Sequence, residues 1–252
     1  MTTSCTARRR STAPVSASIL PNEPRIAAKY GRTSLIRYNI LTNPDLFADT
    51  KQMWDAVVAD AHDGDLDPEG NFYRTLWHEI GHYLGPDVAL GGDTVAAALE
   101  ANASIFEEMK ADLVSLYVAR ALHRRGYHDA ARLGAVYAAG IRRALRANQP
   151  RRDQAYATMQ LMQFNWFLEH DLLEYDRRLA VLRIDYDRYH DVVASMLAEV
   201  LAIQHRGDRA AADAFIERYT SWDDDLHETL ARAMRSARRY RYTMVHYAIL
   251  GD

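Results

Sequence analysis

The sequence predicts a mainly α-helical protein. From Asn71 onward, apolar residues recur at helical spacing in one segment after another, and a capping residue or a glycine separates most segments from the next. The stretch that alternates in the manner of a β-strand is TSLIRYNIL, residues 33–41. We therefore expect one helical domain with at most a small strand element near the N-terminus.

The first sixty residues divide into a tail, the short strand and one helix. Residues 1–20 are rich in Ser, Thr, Ala and Pro, and we expect a flexible tail there, ahead of a single domain over residues 21–252. The segment PDLFADTKQMWDAVVADAH predicts a helix, because Phe47, Met53 and Val57 recur at helical spacing.

Seven further helices are predicted after the turn-rich stretch DGDLDPEGN. The first, FYRTLWHEIGHYL, ends before Gly85-Pro86. The second is long and alanine-rich, runs from Val95 to a stop at Gly126, and is interrupted near Ala103. The others are HDAARLGAVYAAGIRRALRA, DQAYATMQLMQFNWFLEHDLL, DRYHDVVASMLAEVLAIQHRG, AAADAFIERYTSW and a C-terminal helix from about residue 225 to residue 249.

Composition excludes several classes of protein. The chain is 48% hydrophobic and 26% charged, which is typical of a globular protein, and its net charge of -3 gives no basic excess for nucleic acid. No segment has the apolar length that a membrane span requires. The single cysteine, Cys5, cannot form an internal disulfide, and we expect a cytoplasmic protein.

The stretch YRTLWHEIGHYLGP contains His78, Glu79 and His82 in the order H-E-x-x-H. Residues four apart share one face of a helix, so the two histidines project together at a separation that one zinc ion can bridge. Glu79 lies one residue round the helix, where its carboxylate can act as a general base toward a metal-bound water. The alternative is that both histidines are ordinary surface or hydrogen-bonded core residues.

A third ligand is available in IFEEMKADLVSLY, which places Glu107, Glu108 and Asp112 on an otherwise apolar helix. Burying an unpaired carboxylate is costly, and a metal ion or a histidine offsets that cost. Glu108 is the candidate ligand, and Asp112 is the candidate partner that orients a ligand histidine. The alternative is a solvated acidic edge paired with Lys110 and Arg120.

Together these motifs resemble the thermolysin-like, or gluzincin, metallopeptidases. HEIGHYLGP followed by EEMKADLVSLYVARAL is similar to the dipeptidyl peptidase III family, most closely to its bacterial branch, over roughly residues 19–220. The resemblance implies the helical catalytic lobe of such an enzyme and one zinc ion per chain, with Glu79 as general base. It implies His78, His82 and Glu108 as ligands, supported by Glu107 and Asp112.

The chain also departs from the family pattern. The family spaces its two histidines by one extra residue, whereas the shorter H-E-x-x-H here is still a zinc-binding spacing. Where the family has a histidine that assists the transition state, YATMQLMQF has Tyr156 and Thr158, and Tyr156 is either a catalytic hydrogen-bond donor or a core residue. Little precedes Leu20, so we expect the face that the family's N-terminal lobe covers to be an exposed cleft or a homodimer interface.

The sequence therefore predicts a zinc-dependent metallohydrolase that acts on a peptide or amide bond. Two alternatives remain open at this point. One is a zinc-dependent tailoring enzyme acting on a small metabolite, and the other is a non-catalytic, zinc-binding remnant. The expected partner is a peptide or small-molecule substrate, without nucleic acid or membrane.

Overall fold

Helices dominate the computed structural model, which describes residues 17–20, 26, 29–31 and 33–238. The predicted fold class, mainly α, is confirmed. The helices from residue 38 onward are α1 (Tyr38–Leu41), α2 (Pro44–Asp55), α3 (Pro68–Gly81), α4 (Val95–Leu99), α5 (Ala103–Arg124), α6 (Ala130–Ala144), α7 (Ala155–Glu169), α8 (Tyr189–Arg206), α9 (Arg209–Tyr219) and α10 (Thr229–Ala237). None of the helices in these ranges has the length and apolar character needed to cross a bilayer.

Two short antiparallel strand pairs accompany the helices. β1 (Ala17–Leu20) pairs with β2 (Thr33–Ile36), so Ala17 faces Ile36 and Leu20 faces Thr33. The strand element near the N-terminus is thus present, but β1 belongs to a stretch that we had assigned to the tail. Its backbone is tied to β2 by the ladder, and residues 1–16 lie outside the described residues.

The second pair joins β3 (Leu173–Asp176) to β4 (Val181–Ile184). It begins at the last residue of a predicted helix, which in the structure ends earlier, at Glu169, and it continues into a stretch to which the sequence analysis assigned no element. Strand β4 is held to the chain after α2 by the amide of Ala59, which donates to the carbonyl of Leu182 at 2.9 Å. The predicted C-terminal helix is described only as far as Arg238, and α10 ends at Ala237.

Helix α5 lies at the centre of the fold and packs against α3, α6, α7 and α8. Its side chains Phe106, Met109, Leu113 and Leu116 are fully buried. A helix that is apolar around most of its circumference is buried on several sides, which is the position that α5 occupies. The predicted interruption before it is a 3₁₀ turn over Glu100–Asn102, which separates α4 from α5.

The close approach of α3 to α5 depends on Gly81. A Cβ atom at this position would lie 2.8 Å from the carbonyl oxygen of Ala111 and 2.9 Å from its Cα atom. Because only a glycine leaves room for that backbone, the HEIGH segment can lie directly against the helix that carries the acidic residues. This contact sets the distance between the two halves of the predicted site.

Helix α3 is well defined at both ends. Asp67 caps it by accepting hydrogen bonds from the amides of Glu69 and Gly70, and Pro68 occupies the first turn. The helix ends at Gly81, earlier than the predicted end before Gly85, because the chain tightens into a turn. His82 is the C-cap residue but keeps helical dihedrals, with φ -66° and ψ -19°, so it still projects on the same side as His78.

Candidate metal centre

Helices α3 and α5 bring His78, His82 and Glu108 together. One nitrogen of each histidine and one oxygen of the carboxylate lie within 4.8 Å of one another. Oε2 of Glu108 lies 3.3 Å from Nε2 of His78 and 3.7 Å from Nε2 of His82. Ligand atoms held tetrahedrally at zinc bond lengths are about 3.3 Å apart, and the two distances from Glu108 to the histidines are close to that value.

The other ring nitrogen of each histidine is held by a second carboxylate. Nδ1–H of His78 donates to Oδ1 of Asp112 at 3.1 Å, and Nδ1–H of His82 donates to Oε1 of Glu107 at 2.9 Å. These bonds fix the tautomer and the ring orientation, which leaves both Nε2 lone pairs directed toward Glu108. Glu107 and Asp112 thus each contact the ring nitrogen of a histidine that points away from Glu108.

Asp112 is fully buried and is surrounded by positive charge. Besides His78, its Oδ1 atom accepts a hydrogen bond from Nη1 of Arg74 at 2.7 Å and lies 2.9 Å from Nε of Arg143. Burial raises the pKa of this carboxyl group, but Arg143 and Arg74 outweigh burial and hold the pKa well below its ordinary value. Asp112 is thus an anion at any physiological pH.

Burial also shifts the pKa values of His78 and Glu108, two candidate ligands that face each other. Burial lowers the pKa of His78, but the hydrogen bond to Asp112 and the adjacent Glu108 carboxylate outweigh it, so the pKa is raised. Burial raises the pKa of Glu108, whereas the neighbouring His78 and Tyr156 lower it, with a lower pKa as the result. Each group stabilises the charge of the other, and a cation between them would displace the proton.

Glu107 connects the site to the turn after α3. Nζ of the buried Lys110 lies 2.9 Å from Oε1 of Glu107 and donates to the carbonyl oxygen of Leu84 at 2.6 Å. The alternative prediction, a solvated acidic edge paired with Lys110 and Arg120, was therefore right that Lys110 pairs with Glu107. It was wrong about Asp112, which is buried, and about Arg120, whose guanidinium lies 4.0 Å from Asp191 instead.

The two predicted catalytic side chains lie beside the ligand cluster. Glu79 is buried, and its charge contributes to raising the pKa of Tyr156. Tyr156 is 54% exposed, so it is not a core tyrosine. Burial and the neighbouring Glu108 carboxylate raise the pKa of Tyr156 well above its ordinary value, which keeps the hydroxyl protonated at neutral pH.

One oxygen shows that these residues fit a metal ion. Oε2 of Glu108 is buried and has no hydrogen-bond partner within the described residues, although it faces both Nε2 atoms. An unpartnered carboxylate oxygen is costly to bury, and a cation between these three atoms removes that cost. Two imidazole nitrogens with one carboxylate oxygen form a donor set that suits zinc and leaves one position open for a substrate or water.

Sequence reasoning missed the two arginines that hold Asp112. For Arg74 a signal was present, since it precedes His78 by four residues and therefore shares its face of α3. For Arg143 the sequence offered none. It lies on α6, and only the packing of α6 against α3 brings its guanidinium to Asp112.

Comparison with known proteins places this fold. The chain matches no protein-family model. It superposes on the structure of DPP III from Caldithrix abyssi with a TM-score of 0.78 and 26% identity, over 89% of this chain and 43% of that one. The fold is dipeptidyl peptidase III-like. The structure of dipeptidyl-peptidase III from Corallococcus sp. strain EGB also gives a TM-score of 0.78, at 25% identity, over 88% of this chain and 41% of that one.

Among curated proteins, Nudix hydrolase 3 of Arabidopsis thaliana is 25% identical over 220 residues. That alignment takes in 86% of this chain and 28% of the plant protein. The chain thus spans less than half the length of each of these three relatives.

Proposed function

We propose that this chain is a zinc-dependent metallohydrolase of the dipeptidyl peptidase III-like group, acting on a peptide or amide bond. The observation that carries the proposal is the arrangement of Nε2 of His78 and Nε2 of His82 around the unpartnered Oε2 of Glu108. The dipeptidyl peptidase III-like fold supports a peptide as the substrate class.

Each side chain has a distinct task in this proposal. His78, His82 and Glu108 would hold one zinc ion, which would supply a Lewis acid to polarise the scissile carbonyl and the attacking water. Glu79 accepts the proton of that water and passes it to the leaving amine nitrogen. The buried position of Glu79 keeps bulk water from competing for this proton.

Tyr156 has the properties of a hydrogen-bond donor to the reacting carbonyl. It is half exposed, next to Glu108, and its raised pKa keeps its proton in place at neutral pH. A neutral donor aimed at the oxygen that gains negative charge lowers the barrier, because the bond strengthens as the charge develops. In this proposal Tyr156 takes the role that the resemblance assigns to a histidine of the dipeptidyl peptidase III family.

The experiment that tests the proposal compares hydrolysis of a peptide library by wild type, Glu79→Gln and His78→Ala, with zinc content measured in parallel. We expect hydrolysis by the wild type, no hydrolysis but full zinc in Glu79→Gln, and loss of both in His78→Ala. Equal hydrolysis by wild type and Glu79→Gln contradicts the proposal. Bound zinc without hydrolysis of any peptide favours the small-metabolite alternative.

A further inference from the structure

A cleft of about 370 Å³ lies between α1, α2, α3, α6 and α7, and two of its lining residues, Arg74 and Arg143, contact Asp112. Its lining is divided into two kinds of surface. Leu41, Leu46, Phe47 and Leu145 contribute an apolar wall. Four arginines contribute a basic one, namely Arg74, Arg142, Arg143 and Arg146.

The positive charge in this cleft is only partly balanced. Arg74 and Arg143 pair with Asp112, but within the described part of the chain Arg142 and Arg146 form no ion pair. Arg142 contacts the sulfur of Met53 at 3.6 Å, and Arg146 donates to the side-chain oxygen of Gln160 at 2.5 Å. Two guanidinium groups therefore line the cleft without an ion pair, and the carboxylate of the lining, Asp67, accepts hydrogen bonds from the amides of Glu69 and Gly70 instead.

These arginines also carry donors that lack acceptors. The Nε groups of Arg74, Arg142 and Arg146 are buried and have no hydrogen-bond partner among the described residues. Burial, with the neighbouring Arg146 and Arg238 acting in the same direction, lowers the pKa of Arg142 to about 10. Charged donors without partners are rare in protein interiors, because the desolvation cost is not recovered.

A purely structural explanation accounts for part of this arrangement. Arg142 and Arg143 lie in the last turn of α6, where the helix dipole favours a positive side chain. The dipole explains why cations are tolerated at this end of the helix. The dipole of α6 supplies no hydrogen-bond acceptor for the Nε groups. It also does not extend to Arg74, which lies on α3. A bound oxyanion supplies the missing negative charge and accepts hydrogen bonds from the guanidinium groups that line the cleft.

We propose that this cleft binds an organic anion. Its carboxylate or phosphate oxygens accept hydrogen bonds from Arg142 and Arg146, and its apolar body packs against Leu46 and Phe47. The volume lies in the range of small-molecule sites, and the combination of an apolar wall with a few converging polar groups is typical of them. This site does not depend on the hydrolase function proposed above.

Calorimetric titration of the purified, zinc-loaded chain tests the proposal. The probes are phenyl phosphate, 3-phenylpropionate and inorganic phosphate, with chloride at matched ionic strength as the reference. We expect saturable binding of one equivalent, and Arg142→Gln and Arg146→Gln are each expected to weaken it about tenfold or more. The tighter of the two phenyl probes identifies phosphate or carboxylate as the natural group.

Arg177→Gln is the matched control, since it removes one exposed guanidinium outside the cleft. It is expected to bind the probes as the wild type does. Melting curves and zinc content verify that each variant is folded and loaded, and Arg146→Gln stands in if Arg142→Gln does not fold. Absence of saturable binding to the wild type overturns the proposal. Wild-type binding by Arg142→Gln and Arg146→Gln also overturns it, since the probe is then held elsewhere, for example by the zinc ion.

Discussion

Oδ1 of Asp112 accepts the Nδ1–H of His78 at 3.1 Å, and the same oxygen is held by Arg74 at 2.7 Å. The ring of His78 is therefore fixed by an anion that is itself fixed by a buried cation. This chain of contacts orients Nε2 toward Glu108 without help from solvent. The orientation of His78 in the proposed zinc site is thus determined by Asp112 and Arg74, which are not themselves proposed ligands of the metal.

The first prediction concerns this support. Asp112→Asn removes the charge that holds the His78 ring, and we expect zinc affinity to fall about 10- to 100-fold. The measurement is a competition titration against a zinc chelator. Asp191→Asn, which changes an exposed carboxylate of similar size, is the control and should bind zinc as the wild type does. Equal affinities in the two variants would show that Asp112 does not orient the ligand.

The second prediction is a dependence of stability on pH. Burial raises the pKa of the Asp112 carboxyl, but Arg143 and Arg74 outweigh it and hold the native pKa well below the ordinary value of 3.8. The contribution of the charged Asp112 carboxylate to the free energy of unfolding is complete above the unfolded-state pKa, at about pH 4. This contribution is lost as the pH falls below that value.

Urea unfolding of metal-free wild type and Asp112→Asn between about pH 7 and about pH 3 measures this contribution. The variant should be less stable by about 3–5 kcal/mol at neutral pH, because Arg74 is left buried without its anion. The difference in unfolding free energy should shrink as the solution is acidified. A difference that grows in acid would mean that Asp112 is not charged in the folded chain.

The third prediction concerns the contact between α3 and α5. Gly81→Ala places a methyl group against the Ala111 backbone, and we expect it to destabilise the fold by about 1–3 kcal/mol. It should also lower zinc affinity, since α3 carries both histidines. Gly134→Ala is the control, because a Cβ there meets nothing within 4 Å. That variant should be more stable by about 0.5–1 kcal/mol, as expected for alanine in a helix. Thermal and urea unfolding of both variants give the comparison.

The fourth prediction concerns Tyr156. Tyr156→Phe removes the hydroxyl and keeps the ring, so kcat for peptide hydrolysis should fall about 100-fold while zinc content stays at wild-type level. Tyr127→Phe, at an exposed position outside the site, should leave kcat unchanged. If Tyr156→Phe instead changes KM alone, the hydroxyl contributes to substrate binding rather than to the reaction step.

The sequence alone was sufficient to predict the features of the site that depend on helical periodicity. The spacing of His78 and His82 on one helix, and of Glu108 and Asp112 on another, follows from the helical repeat and needs no tertiary information. The existence of α3 was also predictable, but its start was not: residues 63–71 were assigned to a turn, whereas α3 begins at Pro68 and is capped by Asp67. The end of α3 was not predictable either, because the turn at His82 is tied down by Lys110, which lies on α5.

What the sequence could not supply is contact between distant segments. Arg143 reaches Asp112 only because α6 packs beside α3, and no spacing in the chain encodes that distance. The β3–β4 pair was missed because two four-residue strands give a periodicity signal too short to recognise. The four arginines of the cleft come from α3, α6 and the chain after α6, so their grouping is likewise a property of the fold.

The zinc content of the purified chain, measured by mass spectrometry beside that of Glu108→Gln, tests the central claim most directly. We predict one zinc ion per wild-type chain. For Glu108→Gln we predict zinc loss on dialysis against a chelator concentration that leaves the wild type loaded, because the uncharged amide is the poorer ligand. A wild-type chain that takes up no zinc, or a Glu108→Gln variant that retains it as firmly as the wild type, would contradict the account.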